Sequence, residues 1–463
     1  MIRLFRHFVP ASFVFLVLIE LALFYSAIYM GAEIRFWGVG FDDELLPLWP
    51  KALLFSSVIF VSMTAMGLYK NLYREGMNGM VLRLVASMLI ALAVMSLLFY
   101  LFPYLFLGRG ASAWSFAIAV TGVVVIRVIF FNSIGNGALK RNVLVLGAGK
   151  RAEQFQMLRR KSDQFGFRIL GYVHVAGEHD VMPENSVIHL DVPLIDYVQA
   201  HSVQEIVVVL EDRRKSFPVD DLLDCKMSGI DVTEALCFFE RETGKVRLET
   251  LHPSWFIFSD GFRHAGFQLM AKRGFDILAS SMILFLAWPV MLMAAVAIFV
   301  ENGFKGPVLY KQVRVGQNWR LFQVLKFRSM VVDAEKDGSP QWAQKNDSRV
   351  TRIGKFLRRS RIDELPQIFN VLKGDMSFIG PRPERPEFVE QLAGKIPYYA
   401  ERHRVKPGIT GWAQVRYPYG ASDDDAREKL QYDLYYVKNY SLFLDCLIMF
   451  QTVEVVIFGA GAR

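Results

Sequence analysis

The chain has 463 residues, a formal net charge of +8 and a mean hydropathy of +0.26, with 53% of its residues apolar. Soluble domains of this length are seldom so greasy, which argues against a wholly aqueous protein, and the positive balance suits partners that carry phosphate or anionic lipid headgroups. Three cysteines (Cys225, Cys237, Cys446) without CxxC spacing, and eight histidines without a metal-spaced cluster, argue against zinc sites and a disulfide framework. The reducing cytoplasm is the natural setting for the polar part.

Four apolar segments fill the first third, at about Val9–Gly31, Leu45–Leu68, Val81–Leu107 and Ala113–Ile134. Each is long enough for a hydrocarbon core of ~30 Å, which needs roughly 20 helical residues. No small-residue cleavage site follows the first, so it reads as a retained membrane helix. Arg3 and Arg6 precede the unit, Lys70 and Arg74 lie at its centre, and Lys140, Arg141, Lys150 and Arg151 follow it. The first loop carries Glu33, Asp42, Asp43 and Glu44 against Arg35, which predicts that both ends of the unit are cytoplasmic. Glu20 and Arg127 fall inside spans, where they either mark a function or, as the blander reading has it, pair inside the bundle or with headgroups.

From Asn142 the texture changes. "NVLVLGAG", "FRILGYVHV", "VPLID" and "QEIVVVLED" read as strand-like pieces separated by helical stretches, predicting a parallel α/β domain. Its first turn, Gly147-Ala148-Gly149-Lys150-Arg151-Ala152, has the GxGxxA form that lets backbone N–H groups approach a pyrophosphate, making Gly147 and Gly149 candidate nucleotide contacts. No acidic residue stands where a nicotinamide ribose would be held, since His174 ends the second strand. A structural or nucleotide-sensing Rossmann-like module is the stronger reading.

A fifth apolar run, Ile277–Val300, follows "KRGFD" and contains Pro289. Proline removes one helical hydrogen bond and clashes with the preceding turn, so the segment either crosses with a kink or breaks and returns. Downstream, "RVTRIGKFLRRSRIDELPQ" sets Ile353, Phe356 and Leu357 on one helical face and Arg352, Lys355 and Arg359 away from them. That helix would either lie on a membrane surface or pack on its own core.

Asp363 and Glu364 come next. Adjacent helical residues point about 100° apart, so the two cannot do the same job on one atom. A capping role ahead of Pro366 is one reading. The other is phosphate chemistry: a carboxylate attacks phosphorus only when the phosphate charge is neutralised, by basic side chains and a hard divalent cation such as Mg²⁺. Arg358, Arg382, Lys326 and Arg328 are available for such a clamp, with Arg314, Lys272 and Arg273 in the neighbouring basic motifs.

"KRGFD", "YKQVRVG", "LKFRSM", "DELPQIFNVLKGDMSFIGPRPE", "KPGITGWAQV" and "YDLYYVKNYS" occur in that order. Together they resemble the bacterial sugar transferases known as monotopic phosphoglycosyl transferases. With the preceding segments, the whole chain is similar to their large subgroup, the undecaprenyl-phosphate hexose-1-phosphate transferases, with a C-terminal flavour like members of exosortase-associated exopolysaccharide clusters. The resemblance implies a multi-domain inner-membrane protein: a four-helix transmembrane bundle (1–138), a Rossmann-like α/β domain (139–256) and an α/β catalytic domain (267–463). In the last, a re-entrant membrane helix at about 276–300 keeps the domain cytoplasmic. The family's break is usually Ser-Pro, whereas Trp288 precedes Pro289 here.

The resemblance also implies roles. Asp363 would attack the β-phosphate of a UDP-sugar, release UMP and hold a sugar phosphate that undecaprenyl phosphate then accepts. Glu364 would activate the acceptor or orient Mg²⁺, the metal falling to Asp363 and Glu364. Arg358, Arg382 and Asp433 match phosphate-contacting and acidic positions of the family site. A homodimer among inner-membrane lipids is implied, and no nucleic-acid partner. "KPGITGWAQV" reads as mainly structural, and Leu442–Phe458 as an interfacial or core-packing helix. Two alternatives remain: a membrane scaffold or nucleotide-sugar sensor, and a membrane-anchored dehydratase. The latter lacks support, because no Tyr has Lys four residues later.

Overall fold

The computed structural model describes residues 2–4, 7–37, 47–69, 76–135, 140–158, 166–210, 217–262, 266–304, 306–331, 349–417, 420 and 422–457. Arg6, Lys70, Arg74, Asp42, Asp43 and Glu44, which carry much of the orientation argument, lie outside them. The chain forms two compact units, Met1–Ile2 with Phe8–Thr243, and Arg3–His7 with Gly244–Arg463.

In the first unit, helices α1 (Ala11–Arg35), α2 (Trp49–Ala65), α3 (Gly76–Leu101) and α4 (Arg109–Gly135) occupy the four apolar segments. Among the described residues, four helices are long and apolar enough to cross a membrane: Ala11–Arg35, Gly79–Leu101, Arg109–Ser133 and Gly266–Glu301. The segment expected at Leu45–Leu68 forms a helix of 17 residues, roughly 26 Å long and at the short edge for a span. Gly31 lets α1 approach α4, since a Cβ there would lie 2.3 Å from Ser115 Oγ. Glu20 and Arg127 do pair, with Arg127 Nε 2.8 Å from Glu20 Oε1, and the Tyr69 hydroxyl donates to the same carboxylate. Buried charge inside an apolar bundle is tolerable only when matched in this way.

The five-stranded sheet of this unit is all parallel. Its central strand Arg141–Leu146 lies between Phe167–Val173 and Glu205–Val208, with Val187–Ile188 and Asp231–Glu234 at the edges. Counted within the sheet the order is 3-2-1-4-5, the doubly wound order. Val143 and Val145 bury into one core and Leu144 and Leu146 into another, so both faces are covered and the strand reads as one apolar run. "VPLID" is not a strand: Leu194–Ala200 is a helix that follows Pro193 and buries Leu194 and Val198, one turn apart.

In the second unit a helix of 36 residues, Gly266–Glu301, runs through Pro289 with no interruption of its helical assignment. The segment is therefore one helix that carries a proline, not two helices joined by a non-helical link, and a change of direction in it takes the form of a kink at Pro289. Most of its apolar side chains face outward, including Leu278, Phe285, Trp288, Leu292 and Val296. Its two ends are nonetheless held by neighbouring parts of the same unit. Near the start, Arg273 donates to the carbonyls of Val371 and Leu372, both at 2.6 Å, and Asp276 accepts from Phe378 N at 3.0 Å. Near the end, Met291, Ala294 and Ile298 pack on Phe327 and Leu357, and Glu301 accepts from Ile353 N at 3.1 Å.

A hairpin of Leu309–Val315 and Leu321–Phe327 follows, and the short strands Ser377–Ile379 and Gly408–Thr410 pair in parallel. The basic helix spans Arg352–Arg359. Ile353 and Leu357 pack on the long helix, whereas Phe356 is exposed, so two of the three expected apolar-face residues serve the protein's own core. Leu442–Ile457 also packs inward, with Leu444 and Ile448 fully buried.

Candidate active site

The acid pair lies on a 3-10 turn, Ile362–Glu364, between the basic helix and the helix Gln367–Lys373. Arg361 enters that turn at φ +55°, a left-handed conformation uncommon for a residue with a Cβ. Neither carboxylate caps the following helix, whose N-cap is Pro366 with no side-chain hydrogen bond. The turn is anchored from behind by Asn370. Its Oδ1 accepts from Leu325 N at 3.0 Å and its Nδ2 donates to Gln323 O at 2.8 Å, fixing the acid-bearing segment to the strand that carries Lys326.

Glu364 is clamped. Its Oε1 lies 2.8 Å from Arg382 Nη2 and 3.2 Å from Lys326 Nζ, and its Oε2 lies 3.6 Å from Arg361 Nη1. Burial works to raise its pKa, but Arg382 and Lys326 prevail and hold it well below the usual carboxylate range. Asp363 behaves oppositely. It is buried, and burial followed by the charge of Glu364 pushes its carboxyl up to about 6, against the pull of Lys326, Arg358 and Arg382. The pair thus divides into one locked anion and one more basic carboxylate. Burial also lowers the ammonium pKa of Lys326, with Glu364 opposing.

Arg382 follows the strand Ser377–Ile379 through Gly380 and Pro381, and is set by a second layer. Arg402 Nη2 donates to the Arg382 carbonyl at 3.0 Å and pairs with Asp433 at 2.8 Å, while its Nη1 donates to Tyr399 Oη at 2.7 Å. Gly408 and Gly411 press on the same loop: a Cβ at Gly408 would lie 2.1 Å from Gly380 N, and one at Gly411 2.2 Å from Gly380 O. "KPGITGW" is in that sense structural duty, a glycine face that lets two backbones touch.

The structure thus gathers Asp363, Glu364, Lys326 and Arg382, with Arg358 close enough to act on Asp363. Arg314 stands at the edge, 3.5 Å from Glu384, and its charge is felt by Lys326. Lys272 and Arg273 are not brought in. Lys272 is buried 2.8 Å from Asp445 and 3.4 Å from Asp276, and Arg273 caps the carbonyl end of Gln367–Lys373. Asp433 is likewise committed to Arg402, one layer behind the site. Arg361, Asn370 and Arg402 escape sequence reasoning, because their roles depend on partners 3 to 47 positions away.

Gly147 adopts φ +113°, as a glycine turn after a first strand requires, but Lys150–Leu158 continues as a 3-10 helix. Ala148 O accepts from Val181 N and Met182 N, and Glu178 Oε2 lies 3.5 Å from where a Gly147 Cβ would be. A carboxylate therefore faces the turn at which a pyrophosphate would need positive potential. Gly149 shows no feature that selects a nucleotide.

Among the described residues no group of three or more His, Cys, Asp or Glu side chains is placed to hold a metal. Magnesium commonly uses only one or two carboxylates and takes its other ligands from water and substrate phosphates. Asp363 and Glu364 fit that minimal set, although the cations on Glu364 favour a metal that arrives with a diphosphate.

An acid pair in a basic cradle beside a long apolar helix is a candidate site for phosphate chemistry, and the chain belongs to the bacterial sugar transferase family. The model of that family matches residues 267–459. The chain is 47% identical over 242 residues to the UDP-N-acetylgalactosamine-undecaprenyl-phosphate N-acetylgalactosaminephosphotransferase of Aeromonas hydrophila, covering 52% of this chain and 56% of that protein. It is 32% identical over 350 residues to the UDP-glucose:undecaprenyl-phosphate glucose-1-phosphate transferase of Escherichia coli (strain K12), covering 74% of each. With the undecaprenyl-phosphate galactose phosphotransferase of Salmonella typhimurium it shares 30% over 390 residues, 75% of each chain. The match spans about half the length of the first of these relatives.

Proposed function

We propose that this protein transfers a sugar 1-phosphate from a UDP-sugar to undecaprenyl phosphate at the cytoplasmic face of a bacterial inner membrane, the first step in building a surface polysaccharide. The observation that carries the reading is the split between Asp363, whose carboxyl is pushed up to about 6, and Glu364, locked by Arg382 and Lys326. Asp363 is ionised at neutral pH yet more basic than an ordinary aspartate, which suits a nucleophile.

In the first step an Asp363 oxygen bonds to the β-phosphorus while the bond from that phosphorus to the bridging oxygen breaks. UMP leaves with the electron pair. In the second, an oxygen of the lipid phosphate bonds to the same phosphorus, and the Asp363–phosphorus bond breaks to return the carboxylate. Arg382, Lys326 and Arg358 neutralise charge on the transferred group. Glu364, held ionised by its clamp, is a poor proton acceptor, which favours the orienting role over acceptor activation. Mg²⁺, held by Asp363 and Glu364 together with the diphosphate, would supply further charge neutralisation.

Re-entry of Gly266–Glu301 belongs to the same proposal. From Asp276 to Glu301 a straight helix is about 38 Å long, more than a ~30 Å hydrocarbon core. Its two ends are bound by Phe378 and Ile353 of one catalytic unit, which supports a helix whose ends lie on one side and whose middle dips into the membrane by bending at Pro289.

The test is intact-protein mass spectrometry of the detergent-purified enzyme with Mg²⁺ and UDP-glucose, UDP-galactose or UDP-N-acetylgalactosamine, without lipid acceptor. A gain of one sugar phosphate, absent in Asp363→Asn, is expected. Neither adduct nor UMP release with any donor from folded protein would instead favour the scaffold or sensor reading.

A further inference from the structure

Arg328 is 7% exposed, and neither of its terminal guanidinium nitrogens has a hydrogen-bond partner. No described carboxylate pairs with it. A buried guanidinium left unmatched is costly, and sites that keep one commonly use it to receive an anion.

Its setting says which anion. Arg328 N donates to Val308 O at 2.9 Å, extending the strand pairing just beyond Leu321–Phe327. Alternate residues of a strand share a face, so Arg328 stands on the side of Lys326, roughly 7 Å further along. Lys326 ends on Glu364, and the intervening Phe327 packs on Met291, Ala294 and Ile298 of the long apolar helix. Phe327 points to the opposite face, so the helix lies against the apolar side of the strand end, while the basic side carries Lys326 at the acid pair and Arg328 beyond it, by the loop that follows the helix. The guanidinium lies under the loop that leaves the helix. A Cβ at Gly306 would sit 2.9 Å from Arg328 Nη1, and Gly306, at φ +83°, is a position where only glycine is comfortable.

We propose that Arg328 binds the phosphate monoester of the acceptor lipid, presenting it to Asp363 from the membrane side, while Arg382 and Lys326 serve the donor phosphates. This rests on the phosphotransfer reading of the same site and names the group that separates its two substrates. A planar fork of donors suits a phosphate, and a residue at the end of the strand nearest the apolar helix suits a headgroup whose chain stays in the lipid.

The experiment compares wild type, Arg328→Gln and Arg328→Lys, checked for equal melting temperature, in nanodiscs. Adduct formation from the UDP-sugar is measured without acceptor, and transfer from the preformed adduct is measured against polyprenyl phosphate concentration. Arg328→Gln should raise the KM for polyprenyl phosphate at least tenfold more than it slows adduct formation, with partial recovery in Arg328→Lys. Two further arms separate the sources of phosphate: inorganic phosphate and phosphatidylglycerol should each compete weakly with polyprenyl phosphate in wild type. An equal loss in both half-reactions would assign Arg328 to the donor site and overturn the proposal. So would an unchanged acceptor KM, or competition by phosphatidylglycerol as strong as by the acceptor. Absence of any wild-type adduct would instead overturn the phosphotransfer reading itself.

Discussion

Arg382 Nη2 lies 2.8 Å from Oε1 of Glu364, joining two residues 18 positions apart in a charge-assisted hydrogen bond at the edge of the acid pair. Lys326 approaches the same oxygen, so that one carboxylate oxygen answers two cations. Arg382→Gln should lower kcat/KM for the UDP-sugar by about 10²–10³. It should also let the pKa of Glu364 rise, since Arg382 is the strongest charge holding it down. A steady-state pH profile would show a new acidic limb in the variant. An unchanged profile would mean that Glu364 does not titrate in catalysis.

Asp363 makes a prediction of the opposite sign. A carboxyl raised from 3.8 to about 6 binds its proton more tightly in the folded state. Folding stability is then present below about pH 4 and is lost as pH rises through about 6. At pH 8 the ionised group costs no more than roughly 3 kcal/mol. Asp363→Asn should therefore melt higher than wild type at pH 8 and equal to it near pH 4, while forming no adduct at either. Activity of the wild type should fall tenfold per pH unit below about 6, measurable as UMP release in the first turnover.

Gly408 tests the support of the Arg382 loop. A methyl group there meets Gly380 N at 2.1 Å, with no flexible side chain to yield. Gly408→Ala should displace the Gly380-Pro381-Arg382 turn and cost about 10² or more in kcat, because small misplacements of a positioning group are expensive. Far-UV circular dichroism should remain that of the wild type. Near-normal turnover would show that the loop relaxes without moving Arg382.

Lys272 separates a structural from a substrate role. It is buried between Asp445 and Asp276, and Tyr436 Oη sits 2.8 Å from the same Asp445. Lys272→Met strands two carboxylates and should destabilise the protein by about 3–5 kcal/mol. The double variant Lys272→Met/Asp445→Leu should recover part of this. Donor KM of the folded fraction should not change. A KM rise without loss of melting temperature would instead place Lys272 on the phosphate.

The sequence by itself determined the elements whose cause is local. Long apolar runs set the membrane helices, since lipid asks only for length and hydropathy. The run NVLVL set a doubly buried strand, and its following glycine set the positive-φ turn. Local reading also went astray where local signals were equivocal. VPLID is a short apolar piece that only its packing made a helix, and Pro289 interrupts a pattern without interrupting the helix. The acid pair and its arginine surroundings were legible because the charges crowd within one short stretch.

Only tertiary structure decided which basic residues face that pair. Lys272, Arg273, Lys326, Arg328 and Arg382 look alike in the sequence. Folding sent the first two to Asp445 and to helix-end carbonyls, brought Lys326 and Arg382 to Glu364, and left Arg328 without a partner. His7 makes the same point from the far end of the chain. Its Nδ1 lies 2.8 Å from Tyr435 Oη and its ring stands edge-on to Trp412, so burial and then Arg416 push its pKa down to about 3. Nothing near His7 in the sequence announces a partner 428 positions away. Residue type fixes what a side chain can donate, accept or neutralise. Its partner is fixed by how distant segments pack, and the chemistry follows from the partner.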